Sequence, residues 1–254
     1  MRTRISFFKA NIDLLTMAQT LDTIEEIICG RRPGQHVVVN VAKLVMMQKD
    51  EALRGIVNSC GLINADGQGI VWGARLLGLK VPERVAGIDL MINLVERAAE
   101  KGYRIYLLGA EKEIIMRVEE IWRDKYICLQ IAGCQDGYFT EEQEAGVVGN
   151  IRNSGADILF VAMGSPKKEM FLNKYLKSLN VPFVMGVGGS FDVVAGKTKR
   201  SPRWMQKAGL EWFYRFLCEP WRLWKRYFVT NSIYALMLLK SLLNRERYAK
   251  VIES

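Results

Sequence analysis

The sequence predicts an α/β fold: a Rossmann-like, mainly parallel sheet covered by helices, with a basic, aromatic-rich helical appendage at the C-terminal end. Three observations carry this. Short apolar runs such as "HVVVNV", "YRIYLLG" and "DILFVAM" alternate with longer stretches of helical periodicity, the pattern of parallel strands joined by crossover helices. The runs are apolar almost throughout rather than at every second residue, as strands covered on both faces require. Half of the 254 residues are hydrophobic and a quarter are charged, so an ordinary core can be buried and a disordered chain is excluded. The length suits one domain with an addition, divided here into a core over 1–196 and an appendage over 197–254.

Each element follows from a local signal. "RISFF" reads as a strand, and Thr16 and Gln19 have capping-box spacing for a helix through Ile28. "HVVVNV" is a buried strand, followed by one helix or two in "AKLVMMQKDEALRGIVNSC". "GLINA" is the next strand, with a helix from about Gln68 to Leu77. "GIDLMINLVERAAEKG" is an amphipathic helix stopped by glycine, leading into "YRIYLLG". Helix "EKEIIMRVEEIWRDKY", strand "CLQIAG", helix "TEEQEAGVVGNIRNSG" and strand "DILFVAM" continue the alternation. "SPKKEMFLNKYLKSL" is expected to open with Ser165 as N-cap and Pro166 at the first helical position. "PFVMGVG" is the last clear strand.

Composition narrows the chemistry. The five cysteines are odd in number and form no C-x-x-C pair, which fits reduced thiols in a cytoplasmic setting, each a small apolar filler, and no zinc site. His36 is the sole histidine; it cannot build a His-rich metal site and is read as a strand-edge residue. "MRTRISFFKANIDLL" lacks the apolar stretch of a signal peptide, and no run of about 18 uninterrupted apolar residues is present to span a membrane. From Gly196 onward thirteen Lys and Arg face four Glu, an excess of nine that equals the net charge of the whole chain. The first 195 residues are therefore neutral overall, and the two parts are expected to do different jobs.

In a parallel sheet, ligands bind beyond the carboxyl ends of the strands. Three stretches fall there: "NADGQG", "GSPKKE" and "GVGGSFD". Gly186, Gly188 and Gly189 follow a buried strand and suit an anion-binding backbone nest or, equally, a tight turn. The helix start in "SPKKE" aims free N–H groups at the same edge, and Lys167 and Lys168 in its first turn suit either a bound phosphate or solvent. Arg84 in "PERVAG" is a phosphate fork or half of a surface ion pair. Asp66 precedes a glycine, a common turn signal, yet one acid among several anion-binding devices suits group transfer from a diphosphate. The acid takes a proton from an acceptor hydroxyl, while cations and N–H groups stabilise the departing phosphate.

Taken in order, "NADGQGIVWGARLLG…VPERVAGIDLM", "YLLGA", "GYF", "GSPKKE" and "GVGGSFDVVAGKTKRSPRWMQKAGLEWFYRFLCEPWRLWKRY" resemble the WecG/TagA/CpsF family of glycosyltransferases over about residues 10 to 230. The resemblance implies an inverting, metal-independent transfer of N-acetylmannosamine from a UDP donor to an undecaprenyl-diphosphate-linked GlcNAc, with no cofactor, in teichoic acid, capsule or related cell-surface polysaccharide synthesis. It implies Asp66 as general base, Asn40 as a sugar contact and Arg84 as a phosphate contact. Two features depart from the usual family pattern: Lys168 stands where members often carry Gln, and Val38 and Val39 precede Asn40 where many have Thr. A cation in place of an amide alters hydrogen bonding at the site, so the donor sugar stays open.

Between Trp204 and Phe228 lie four of the six tryptophans. At about 100° per residue, Trp221, Trp224 and Phe228 share one face, with Arg222 and Arg226 roughly opposite; Pro220 interrupts the register before Arg215. Cations opposite aromatics describe a helix lying in a membrane interface; the family resemblance implies that this is the inner face of the cell membrane, where the lipid-linked acceptor resides. Arg215, Arg222 and Arg226 are then candidates to hold a diphosphate. Packing of the aromatics on the core is the alternative, and nucleic acid is set aside because no reading motif is present. The rival to an enzyme is a membrane-docked module that binds nucleotide sugar or lipid diphosphate and recruits other glycan enzymes. Self-association could cover the apolar tail as lipid would.

Overall fold

The first strand does not join the main sheet. β1 (Arg4–Phe7) and β2 (Ala10–Asp13) form an antiparallel hairpin, and β9 (Ala249–Ile252) pairs with the free side of β1. This is the computed structural model of the chain, which describes residues 2–244 and 249–252; the side chains of Lys207, Arg222, Arg226, Asn244, Ala249 and Lys250 lie outside the described residues. The hairpin is tied to the domain through Asp13. Its carboxylate accepts Arg4 Nε and Nη2 at 2.8 and 2.9 Å and the Ile63 amide at 2.8 Å.

α1 (Met17–Cys29) starts at Thr16 with both hydrogen bonds of the capping box, as its spacing predicts. β3 (Gly34–Val39) leads into α2 (Val41–Lys49) and α3 (Glu51–Ser59). "AKLVMMQKDEALRGIVNSC" is thus two helices, because Asp50 ends α2 in an extended conformation and caps α3 by accepting from the Leu53 amide. β4 (Leu62–Ala65), α4 (Gln68–Leu76), α5 (Gly87–Lys101), β5 (Arg104–Gly109), α6 (Lys112–Lys125), β6 (Gln130–Gln135), α7 (Glu141–Ser154) and β7 (Ile158–Ala162) continue the alternation. α8 (Lys167–Leu179), β8 (Phe183–Gly186) and the short α9 (Ser190–Val194) complete the sheet layer. The expected cap at Ser165 is not made: α8 begins one residue later, after Pro166, with no side-chain cap. The tail forms α10 (Arg203–Lys207), α11 (Glu211–Cys218) and α12 (Pro220–Asn244). Pro220 opens α12, where its missing N–H costs nothing, so Arg215 stands on a different helix from Arg222 and Arg226.

The six strands run in the order β4-β3-β8-β7-β5-β6, every pairing parallel. Alternate residues supply the two faces. Ile158 and Phe160 pack with α1, α5 and α6, while Leu159 and Val161 pack with α7 and α8. A third cluster joins α2, α3 and α4 to the hairpin and to α12, whose Tyr234 is 7% exposed and donates to the Gly69 carbonyl at 2.8 Å.

His36 is not at a strand edge. It lies inside β3, buried, with Nε2 3.0 Å from Asn64 Oδ1, and Asn64 in turn donates to Thr20 Oγ1. Burial pushes its pKa down to about 4, so the ring is a neutral core group. The cysteines are all free, but only Cys60 is a buried filler; Cys134 is half-buried, and Cys29, Cys128 and Cys218 are exposed.

Candidate active site

Parallel register decides which loops meet. Val39 pairs with Ala65, so the next residues, Asn40 and Asp66, stand side by side at the carboxyl edge of β3 and β4. Val161 pairs with Gly186, which brings "GSPKKE" alongside "GVGGSFD" on the neighbouring strands. β8 also pairs with β3, so both loops open on the edge that carries Asn40.

Asp66 follows β4 and its amide is held by the Val39 carbonyl at 2.9 Å. Gly67 turns the chain at φ +100° into α4, a conformation that a residue with a Cβ resists. The Asp66 side chain is half-buried and accepts no hydrogen bond among the described residues. Burial pushes its pKa above the usual carboxylate range, and Arg84, Arg215 and Lys43 pull it back while Glu211 opposes them. A carboxylate that is surrounded by cations yet bonded to none can accept a proton.

Asn40 caps α2, its side-chain oxygen accepting the Lys43 amide at 2.9 Å. That bond fixes the carboxamide and leaves its NH₂ as the donor side. Arg84 is not a surface residue and does not pair with Glu83. It is mostly buried and bonds Glu211 Oε2 on α11 at 2.9 Å. Arg200 lies 3.7 Å from Glu211 Oε1 and bonds Asp89 at 2.7 Å. Glu211 therefore joins the tail to the loop that carries Arg84. Arg215, one turn further along α11, acts on Asp66 through its charge. Arg222 and Arg226 lie on the backbone of α12 with side chains outside the described residues.

Lys168 is mostly buried rather than solvated. Its Nζ is 3.2 Å from Glu169 Oε1, which also accepts Lys43 Nζ at 2.7 Å. Lys43 and Glu169 are only 6% and 1% exposed in their side chains. Two lysines thus share one carboxylate oxygen, the other Glu169 oxygen meets no hydrogen-bond partner within normal geometry among the described residues, and the cluster keeps an excess positive charge. Burial and the neighbouring Lys43 lower the Lys168 pKa, while the two lysines hold that of Glu169 down against its own burial. Gly186 matters here for its missing side chain: a Cβ would meet the Lys168 stem at 2.8 Å. In the glycine turn, the Val187 and Ser190 amides are already bonded to the Val161 and Val187 carbonyls. Gly188 takes φ +54° and Gly189 stands as the N-cap of α9, so these two amides are the turn's remaining donors.

Three residues at this edge escape sequence reading: Lys43, Glu169 and Glu211. A signal exists for the first, a lone lysine inside the apolar "VAKLVMM", because a cation on a buried helix face needs a partner. The partner lies 126 positions away and nothing local names it.

At the carboxyl edge of a parallel sheet, an acid with no hydrogen bond among the described residues thus stands near buried and half-buried cations, an arrangement whose chemistry suits group transfer. The family model described as "Glycosyl transferase WecG/TagA/CpsF family" matches residues 5–248; the chain belongs to that family and is a glycosyltransferase. Among curated relatives it is similar to the N-acetylglucosaminyldiphosphoundecaprenol N-acetyl-beta-D-mannosaminyltransferase of Bacillus subtilis (strain 168), with 37% identity over 200 residues, 79% of this chain and 77% of the relative. The non-catalytic alternative falls with that membership.

Proposed function

We propose that this enzyme transfers N-acetylmannosamine from UDP to a GlcNAc carried on undecaprenyl diphosphate, with inversion and without a metal ion, in cell-surface polysaccharide synthesis. The single observation that carries the chemistry is the Asp66 carboxylate, set beside Asn40 at the strand ends, with no hydrogen bond among the described residues and within the charge influence of Arg84 and Arg215. The relative's printed activity supplies the donor sugar and acceptor.

Asp66 takes the proton of the acceptor hydroxyl as its oxygen attacks the anomeric carbon. The bond to the diphosphate oxygen breaks on the opposite face, and the electron pair leaves on UDP. Asn40 meets a sugar hydroxyl with its NH₂. The leaving charge is met by the free edge of the Arg84 guanidinium, by Arg215, by the excess charge of the Lys43–Glu169–Lys168 cluster and by the amides of Gly188 and Gly189. Lys168, packed on Gly186, is the position that tunes the choice of sugar. Residues 1–196 supply the donor site except for Arg215, which comes from the 197–254 segment, and the rest of that segment supplies the surface that meets the membrane.

The inner membrane face is the place of action in this reading. Trp221 is 90% exposed and Phe228 71%, with Trp224 also exposed between them, while Leu223 turns inward. Among the described residues no helix is long and apolar enough to cross a membrane, so these side chains suit insertion at an interface. Arg222 and Arg226 add charge for an anionic leaflet.

The test uses a short-chain lipid-diphosphate GlcNAc and a panel of UDP-sugars, with and without EDTA. Asp66→Asn is expected to bind donor as before and to lose turnover by about 10²-fold or more. Unchanged turnover removes Asp66 from the mechanism; loss of activity in EDTA removes the metal-free step; preference for another UDP-sugar replaces the donor.

A further inference from the structure

A cavity of about 300 Å³ opens between the β1–β2 turn, α2 and α12, and it shares no residue with the site described above. Phe8, Val45, Ile233 and Met237 give it apolar walls, and the exposed Lys9, Lys49 and Lys240 line it as well. No acidic side chain lines it, and none of the three lysines is in an ion pair among the described residues. We propose that this cavity binds an anionic phospholipid, its headgroup phosphate against the lysines and the start of an acyl chain between the apolar walls.

The turn that presents Lys9 is conformationally expensive. Phe7 pairs with Ala10, so the hairpin loop is the two residues Phe8 and Lys9, and both take positive φ, 47° and 64°. Loops of this kind favour Asn-Gly. A bulky pair persists there only where the surroundings enforce it, and such outliers point to function. The enforcement is visible. The Phe8 ring packs edge-on to Phe7 and Tyr234, Gln48 donates to the Phe8 carbonyl at 2.7 Å, and Asn58 donates to the Lys9 carbonyl at 2.9 Å.

The chemistry selects the ligand. A free anion would gain nothing from the apolar walls, and the cavity is at the small end of ligand pockets, enough for part of a lipid. On α12, Ile233, Met237 and Lys240 turn to the cavity, while Leu236, Leu239 and Leu243 are exposed on the adjoining stripe. An acyl chain leaving the cavity would run along that stripe and not into water. The proposal rests on the reading of the appendage as membrane-facing, and adds a lipid-selective contact to it.

The experiment titrates the full chain with dihexanoyl phosphatidylglycerol below its micelle concentration, by calorimetry and by amide shifts. Saturable binding is expected, at least tenfold tighter than for dihexanoyl phosphatidylcholine, with glycerol phosphate alone not binding. The double variant Lys49→Glu/Lys240→Glu is expected to weaken binding at least tenfold, and Met237→Trp to block it by filling the cavity. Both should keep the native circular dichroism and the transfer rate to a water-soluble acceptor. Equal binding by either variant, no binding by the parent, or equal binding of glycerol phosphate would overturn the proposal. Trp221→Ala/Trp224→Ala tests the membrane reading separately: its loss of vesicle binding with short-chain lipid binding intact supports the cavity, and joint loss removes it as a distinct site.

Discussion

The carboxyl edge of the sheet and the C-terminal helices invert the usual rule in opposite ways. At the edge, charges are buried: Lys43, Lys168 and Glu169 sit together in the interior. In α11 and α12, large apolar side chains are exposed, among them Trp212, Leu217, Trp221 and Leu243. Buried charge is costly unless paired, and exposed apolar area of this extent marks an interaction surface. In the reading proposed above, the first would be completed by an anion and the second by an apolar phase. Glu211 joins them, since it holds Arg84 of the edge from a helix of the tail.

The comparison can be broken at its strongest point first. Glu169→Gln leaves Lys43 and Lys168 buried together with no counter-charge, and the expected cost is about 3–5 kcal/mol, read as a lower denaturation midpoint. A loss below about 1 kcal/mol, the scale of surface pairs, would mean that the edge is wetter than described. Trp221→Ala/Trp224→Ala removes apolar groups worth about 1.5–3 kcal/mol each on burial. Vesicle binding should fall by tenfold or more, while fold and donor binding stay as they were. Unaltered flotation with anionic vesicles would take these rings out of the interface.

Tyr234 tests the seam between the regions. Tyr234→Phe keeps the ring packed and deletes the bond to the Gly69 carbonyl, for an expected loss of about 1 kcal/mol in urea unfolding. The smallest effect is electrostatic. Because the Asp66 pKa is raised, the acid limb of the kcat/KM profile should lie above the ordinary aspartate value of about 3.9. Arg215 lowers that pKa, so Arg215→Gln should move the limb to higher pH. Movement to lower pH would contradict the proximity of tail and base.

Much of the architecture is legible along the chain, because helix and strand periods and caps are local. Thr16 with Gln19 marks the start of α1, and the apolar runs mark the parallel strands. The failures have local causes too. "RISFF" carries no sign that its partners are β2 and β9, since pairing is non-local, and Ser165 looks like a cap although the helix waits until after Pro166. Asp66 and Arg84 can be picked out by residue type and motif. That Arg84 meets Glu211 rather than Glu83 cannot, because 127 positions separate the partners.

By itself the sequence determined the α/β class, the neutral core with its basic tail, and the residue types able to move a proton and hold a diphosphate. The tertiary structure alone decided that Asn40 stands beside Asp66, that Lys43 and Lys168 share one oxygen of Glu169, and that α12 closes a lysine-lined cavity over Phe8. The reason is range. Periodicity and capping act over a few residues, whereas register and charge pairing act between segments that only the folded chain brings within a few ångströms.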